Sequence, residues 1–278
     1  LEHTEYLGDT LELIAGEKAG IIKENVPVVI GWQKDACVEN VFKKIAGEKK
    51  APLVFAEKEV SVSVKGYEKK ERDACVFMEA ELKSRFFEGA INASLRLLGE
   101  FQAKNAATAT LAVKTVFKDI SLEQIEKGLA NAFLPARFEI LSGPKSFDGI
   151  KSLVLDGAHT VNSVRYTMET FKKVFGSNTA KDKAVLLFAC ASDKDVEDIA
   201  PCFKGSFASV FLTKPGNEKG SDLPRLNKAF DSASIEHVLI EDCEKGIISA
   251  FEKASREKSL LLVTGSFYLV SEVRKLLW

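Results

Sequence analysis

The sequence lacks most of the features that would place it quickly. It has no apolar run near the roughly 20 residues that cross a bilayer, so no membrane span is expected. Cysteine is sparse, five in 278 residues. Cys37, Cys75, Cys190, Cys202 and Cys243 are odd in number, scattered and without metal-ligand spacing, which points to reduced thiols and a cytoplasmic protein. The only histidines are His3, His159 and His237, and no two have helical metal-ligand spacing, so a zinc site has no support. Charge of one sign is missing as well. A net charge of -1 gives no reason to propose nucleic acid or an anionic membrane as a partner. A serine elbow, a dinucleotide fingerprint and a Walker A loop are all absent. That removes support for a covalent hydrolase, for a Rossmann-type oxidoreductase and for a loop that cradles phosphates by itself. Leu1-Glu2-His3 shows neither an initiator Met nor a signal-like segment, and reads as a start in mid-domain.

What is present is a globular composition, 46% apolar and 28% charged, in a chain long enough for two domains with full cores. Gly8 to Glu12 reads as a helix start, with Asp9 as cap and Glu12 completing a capping box. Leu11, Ile14, Ala15 and Lys18 follow at i, i+3, i+4 and i+7, which puts Lys18 on the apolar stripe. A helix stop is expected at Gly20, strands at 26–31 and 53–55, and a helix at 34–46. This β/α alternation argues a parallel sheet. Val60, Val62 and Val64 then alternate with polar residues ahead of a second short strand, which predicts an antiparallel hairpin, with more strand near 93–97. A helix rich in small residues follows at 98–109, and Ser121-Leu122-Glu123-Gln124 opens another with a capping box.

From Arg137 the alternation becomes regular. Strands are predicted at 138–141, 153–155, 184–190, 209–213, 236–240 and 259–263. Helices are predicted at 161–175, 196–203, 223–230, 244–257 and 268–277. Continuous apolar strands separated by helices predict a mostly parallel sheet covered on both faces. The segment from Leu134 to Thr160 reads as a seam between two domains followed by a buried strand that ends in Asp156, Gly157 and His159. Ligands of open α/β sheets bind outside the carboxyl ends of strands. Ser192 to Asp195, Thr213-Lys214 and Thr264-Gly265-Ser266 follow other strands and fall on the same edge, so a binding edge is expected there. Capping is the alternative, and Ser192 or Asp195 is expected to start a helix.

Several residues carry two readings. Lys18 either snorkels at its helix end or is held indoors to meet a phosphate, a metal or a carboxylate. Gln102 and Asn105, one turn apart, are either surface or capping residues or face a ligand. Asn offers the donor and acceptor that an adenine edge needs. His237 reads as a surface residue. A magnesium site needing only one or two protein ligands would leave little trace.

Taken together, His3 to Thr10, Glu17 to Lys23, Gly99 to Ala109, Pro135 to Glu139, Asp156 to His159, Asp193-Lys194-Asp195 and Thr264 to Leu269 resemble bacterial folylpolyglutamate synthase/dihydrofolate synthase, of the Mur ligase superfamily. The likeness covers essentially the whole chain in order. It implies an α/β protein whose residues 1–134 are the C-terminal part of a Mur-type ATP-binding domain and whose residues 135–278 are a Rossmann-like glutamate ligase domain. It further implies an ATP- and Mg²⁺-dependent ligase, acting as a monomer, that joins L-glutamate to a folate or to dihydropteroate through an acyl phosphate. His3 would be a magnesium ligand and Lys18 a carbamylated one. Asn105 would contact adenine with Gln102 nearby, and Arg137 would reach the terminal phosphate. Asp156 would hold the ribose or order the nucleotide, and His159 would lie near the phosphates. Glu2, Phe101 and Thr160-Val161 depart from the family pattern, and its Gly-rich ATP loop is missing. The expectations are therefore an N-terminally truncated chain, inactive alone, with a hinge at Leu134 to Arg137. A Mur-type ligase for another acceptor and a non-catalytic nucleotide-binding module are the competing classes.

Overall fold

The structure, a computed structural model, describes residues 10–33, 35–69, 75–176 and 184–277. The chain divides into two compact units. The first takes in residues 1–66, 78–96 and 100–132; the second takes in residues 67–77, 97–99 and 133–278. Among the described residues no helix is long and apolar enough to cross a membrane.

In the first unit, helix α1 (Leu11–Ala19) is capped by Thr10, whose hydroxyl oxygen accepts from the Leu13 amide at 3.3 Å. Thr10 therefore takes the role expected of Asp9, which lies outside the described residues. The helix ends at Gly20, as expected. The expected stripe is also corrected. Ala15 and Ala19 are buried, with Ile22, against Val38, Phe42 and Ala46 of helix α2 (Ala36–Glu48), while Leu11, Leu13 and Lys18 are exposed. Two alanines one turn apart let the helices approach closely, so the buried strip is narrow and the long Lys18 side chain falls outside it.

Strands β1 (Val28–Ile30) and β2 (Leu53–Phe55) pair in parallel, Val28 opposite Leu53, and a single helical turn, α3 (Ala56–Glu59), follows β2. A separate sheet runs in the order β3 (Val60–Lys69), β4 (Val76–Ser84), β5 (Ile91–Leu95). Strands β4 and β5 are antiparallel, with Met78 opposite Leu95. Helix α4 (Glu100–Val116) buries Ala103, Ala106 and Ala107, and helix α5 (Leu122–Asn131) begins with the predicted Ser121–Gln124 capping box. Lys114 is buried, and its Nζ donates to the carbonyls of Lys118 and Ile120, both at 3.1 Å. A cation at that position closes the turn between the two helices.

The second unit is a six-stranded sheet in the order β10-β9-β8-β11-β7-β6. Its strands are β6 (Glu139–Leu141), β7 (Ser152–Leu155), β8 (Ala184–Phe188), β9 (Ser209–Leu212), β10 (Val238–Leu239) and β11 (Leu260–Thr264). All pairings are parallel except the edge pair β6–β7. Every residue of β8 and β11 is buried, as a sheet covered on both faces requires. Helices α9 (Cys243–Arg256) and α10 (Phe267–Lys275) cover the face that carries Leu153, Leu155, Leu187 and Val263. Between β6 and β7 a 3₁₀ turn at Lys145–Phe147 sets Phe147 edge-on to Phe251, ring centroids 5.4 Å apart.

The predicted 15-residue helix α6 (Val161–Phe175) forms at those bounds. The helix expected at 196–203 is instead a short α7 (Val196–Ile199) continued as a 3₁₀ turn, with Pro201 inside it. Proline has no N–H to give to an α-helical bond, which explains the change. Helix α8 (Leu223–Ser232) carries Phe230, whose ring stacks at 6.1 Å on Phe203. His237 is not the surface residue expected. Its ring is half-buried against Phe230, and Nε2 lies 3.1 Å from Asn227 Oδ1. All five cysteines are free. Burial pushes the Cys190 thiol up to about 12 and the Cys243 thiol up to about 11, so both stay protonated.

Phe251 is fully buried in the α9 face of this sheet. Phe251→Ala is expected to lower the unfolding free energy by about 3–5 kcal/mol, since a cavity adds to the lost transfer term. A shift of the urea midpoint followed by far-UV circular dichroism measures it.

Candidate functional site

Strand β7 delivers its chain into an unusual junction. The Asp156 side chain is buried and accepts three hydrogen bonds. Oδ2 takes the Phe138 amide at 2.8 Å. Oδ1 takes the Ala158 amide at 2.9 Å and the Thr167 hydroxyl of α6 at 2.8 Å. Burial pushes this carboxyl above its ordinary value, and the bonds from Thr167, Ala158 and Phe138 pull it partly back.

The same junction bends the segment before β6. Ala136 and Phe138, neither of them glycine, sit at φ 60° and 49°. Each such residue costs about 1–2 kcal/mol unless its surroundings compensate. The Phe138 amide is held by Asp156. The Ala136 amide donates to Glu139 Oε2 at 3.1 Å, and the Ala136 carbonyl accepts from Gly157 N at 2.9 Å. Glu139 is itself buried and takes the Arg274 guanidinium on both oxygens, at 2.6 and 2.5 Å. Between the two left-handed residues Arg137 projects outward, with its guanidinium carbon 4.7 Å from the centroid of the Phe267 ring.

Phe267 is a site residue that spacing and composition do not single out. It opens α10, one residue past the Ser266 cap. A Cβ added at Gly157 would stand 2.3 Å from its ring, so the ring rests on bare backbone. On another side it meets His159 edge-on at 6.0 Å. His159 Nδ1 lies 2.8 Å from the Gly157 carbonyl. A carbonyl only accepts, so Nδ1 carries the proton and Nε2 of the neutral ring is left as an acceptor.

His159 and Phe267 line a cleft of about 210 Å³ together with Lys194, Lys219, Ser266 and Tyr268. Its floor is made by the loop after β11. There Gly265 has φ 100°, and an added Cβ would stand 2.2 Å from the Ala189 carbonyl, so only glycine fits. Asp193 lies between the two lysines, Oδ2 at 2.9 Å from Lys194 Nζ and Oδ1 at 3.7 Å from Lys219 Nζ. The Lys194 hydrogen bond holds its carboxyl below the ordinary range.

Of the sequence-derived candidates, Arg137, Asp156 and His159 thus converge on one sheet edge of the second unit. Asp156 shapes the junction from within, while Arg137 and His159 face outward. Lys18, Gln102 and Asn105 belong to the first unit: Lys18 is exposed on α1, and Asn105 Nδ2 donates to Gln102 Oε1 at 3.0 Å. Lys18 is exposed on α1 rather than on the buried stripe that its spacing predicts. His3 lies outside the described residues. The Thr213-Lys214 loop does not join the cleft. Thr213 is buried and donates to the Asp242 carbonyl at 3.3 Å, and Lys214 faces a larger cleft of about 310 Å³ that holds none of the candidate residues. Asp195 stands at the start of α7 without a side-chain capping bond.

Residues 136–267 match the family described as Mur ligase, glutamate ligase domain. The matched segment holds the cleft just described apart from Tyr268, and the likeness extends beyond it. The dihydrofolate synthase/folylpolyglutamate synthase of Bacillus subtilis is 26% identical over 289 residues, covering 99% of this chain and 60% of its own. The crystal structure of folylpolyglutamate synthase from Thermotoga maritima superposes with a TM-score of 0.76 at 28% identity, covering 96% of this chain and 58% of its own. The Mycobacterium tuberculosis folylpolyglutamate synthase complexed with ADP and AMPPCP shares the fold, with a TM-score of 0.77 at 23% identity. The chain therefore spans about 60% of the length of such relatives.

The three bonds to Asp156 generate a test. In Asp156→Asn an amide NH₂ cannot accept from Phe138 N while Oδ1 serves Ala158 and Thr167, so a loss of about 1–3 kcal/mol is expected. The wild-type carboxyl titrates above its unfolded value. The folded state then keeps this proton longer, and this group makes stability fall as pH rises from the unfolded value through the folded one. The stability gap between wild type and variant, read from urea curves at a series of pH values, should narrow from acid to neutral pH. A widening gap would contradict the assignment.

Proposed function

We propose that this chain is the glutamate-side portion of an ATP-dependent ligase that adds L-glutamate to a folate or to dihydropteroate. The observation that carries the reading is the pair of lysines, Lys194 and Lys219, lining a cleft with His159 in a glutamate ligase domain. Two ammonium groups suit the two carboxylates of glutamate. His159 Nε2 suits the amino group, from which a proton must leave before nitrogen attacks carbon.

In the proposed reaction ATP phosphorylates the acceptor carboxylate, the glutamate amine attacks the acyl phosphate, and phosphate departs as the amide forms. Arg137, held rigidly between two left-handed residues, would offset charge on the phosphoryl oxygens without reorganising during the reaction. Asp156 would act at one remove, by fixing the backbone on either side of Arg137 and His159. Gln102 and Asn105 would read the adenine edge, their side chains already joined.

Magnesium, when bound, would neutralise phosphate charge. Among the described residues no three His, Cys, Asp or Glu side chains gather; a magnesium ion can take most of its oxygens from phosphate and water. His3 and a carbamylated Lys18 would be its protein ligands. The exposed amine of Lys18 is accessible to carbon dioxide.

A chain extended to the length of the relatives is expected to release ADP only when L-glutamate and either dihydropteroate or tetrahydrofolate are both present. Arg137→Ala should lower kcat by about 10²–10³. The 278-residue chain alone should show no such turnover. Silence with both acceptors from folded protein that binds ATP would redirect the reading to another Mur-type acceptor. Silence without ATP binding would favour a non-catalytic module.

A further inference from the structure

The loop that carries Lys194 is clamped from outside the cleft. Arg225, in the first turn of α8, lies at the meeting point of three segments. Its Nε and one terminal nitrogen donate to the two carboxylate oxygens of Glu197 at 2.7 and 2.5 Å, a parallel fork on α7. The other terminal nitrogen donates to the Ser192 carbonyl at 2.9 Å, in the loop after β8. Its own amide donates to the Asp222 carboxylate at 2.9 Å, which caps α8. Ser192 is in turn the bridge between the lysine loops, because its amide donates to the Gly220 carbonyl at 3.1 Å. Next to it the Ser221 hydroxyl donates to the Cys190 carbonyl at 2.9 Å. Lys194 and Lys219 therefore flank one backbone bridge, and Arg225 holds that bridge.

The Arg225–Glu197 pair is half-exposed, with side-chain exposures of 35% and 53%. Pairs of this kind contribute little to folding free energy. The value of this one is geometric, since a planar fork fixes direction as well as distance. We propose that Arg225 is a positioning residue that sets the spacing of Lys194 and Lys219 for an acidic amino acid. The inference rests on the reading of the cleft as the glutamate site. Without the clamp the two lysine loops separate, and each long side chain must be ordered when the ligand binds rather than before.

The test compares L-glutamate binding by the 278-residue chain and its variants by calorimetry. Arg225→Met and Glu197→Gln should each weaken binding about tenfold with nearly unchanged melting temperature. Arg225→Lys keeps the charge but not the fork, and should weaken binding as much as Arg225→Met does. In parallel, hydrogen exchange at the Ser192 amide should quicken in all three variants while the β8 amides of Leu186 and Leu187 stay as in wild type. Wild-type binding with undiminished affinity in Arg225→Met, or full retention in Arg225→Lys, overturns the proposal: the first leaves no role, the second only a charge. Absence of glutamate binding by the wild type overturns the cleft reading on which it stands.

Discussion

A buried carboxylate organises the second unit. Asp156 ends a buried strand, and burial alone would drive it to hold its proton. Three donors converge on it, from the segment before β6, from its own loop and from α6. Its two oxygens divide these donors, Phe138 N on Oδ2 and Ala158 N with the Thr167 hydroxyl on Oδ1. The left-handed backbone at Ala136 and Phe138 depends on this arrangement and on the second buried acid, Glu139, tied to Arg274. Functional strain of this kind persists only where the surroundings over-determine it. Here two buried acids do so, and Arg137 is the exposed product.

The cleft shows a division of labour between rigid and adjustable parts. Its floor is backbone, where Gly265 admits no side chain, and the Phe267 ring that lines it rests on the bare backbone of Gly157. Its rim is charged, with Asp193 serving both lysines so that two cations stay close without repelling each other freely. A ligand carboxylate that meets Lys194 or Lys219 exchanges one anionic partner for another, which keeps the desolvation cost of binding low.

Much of this was legible in the sequence, for identifiable reasons. Strands such as Ala184–Phe188 and Leu260–Thr264 are apolar on both faces, so their type and parallel pairing follow from composition. Helix α6 begins at Thr160 with a polar cap and ends at Gly176, so both ends are written locally. The candidates Arg137, Asp156 and His159 flank strand ends and are found together. Pattern fails where packing decides. Periodicity puts Lys18 on a stripe that close helix contact through Ala15 and Ala19 leaves too narrow to include it. Lys219 and Arg225 act through partners about 26 to 33 residues away, a distance no local pattern encodes. Phe267 falls just before the predicted helix at 268–277, and its part shows only when Gly157 is placed beneath it.

The strand order carries a consequence for the way this unit holds together. Strand β11, the last in sequence, lies in the middle of the sheet, between β7 and β8. Without it the sheet would divide into two parts, β6 with β7 and β8 with β9 and β10, each ending in an apolar strand. The joining strand brings Gly265, Ser266 and Phe267 with it, so the segment that unites the sheet also completes the cleft. Continuity of the sheet and closure of the cleft therefore depend on one and the same strand.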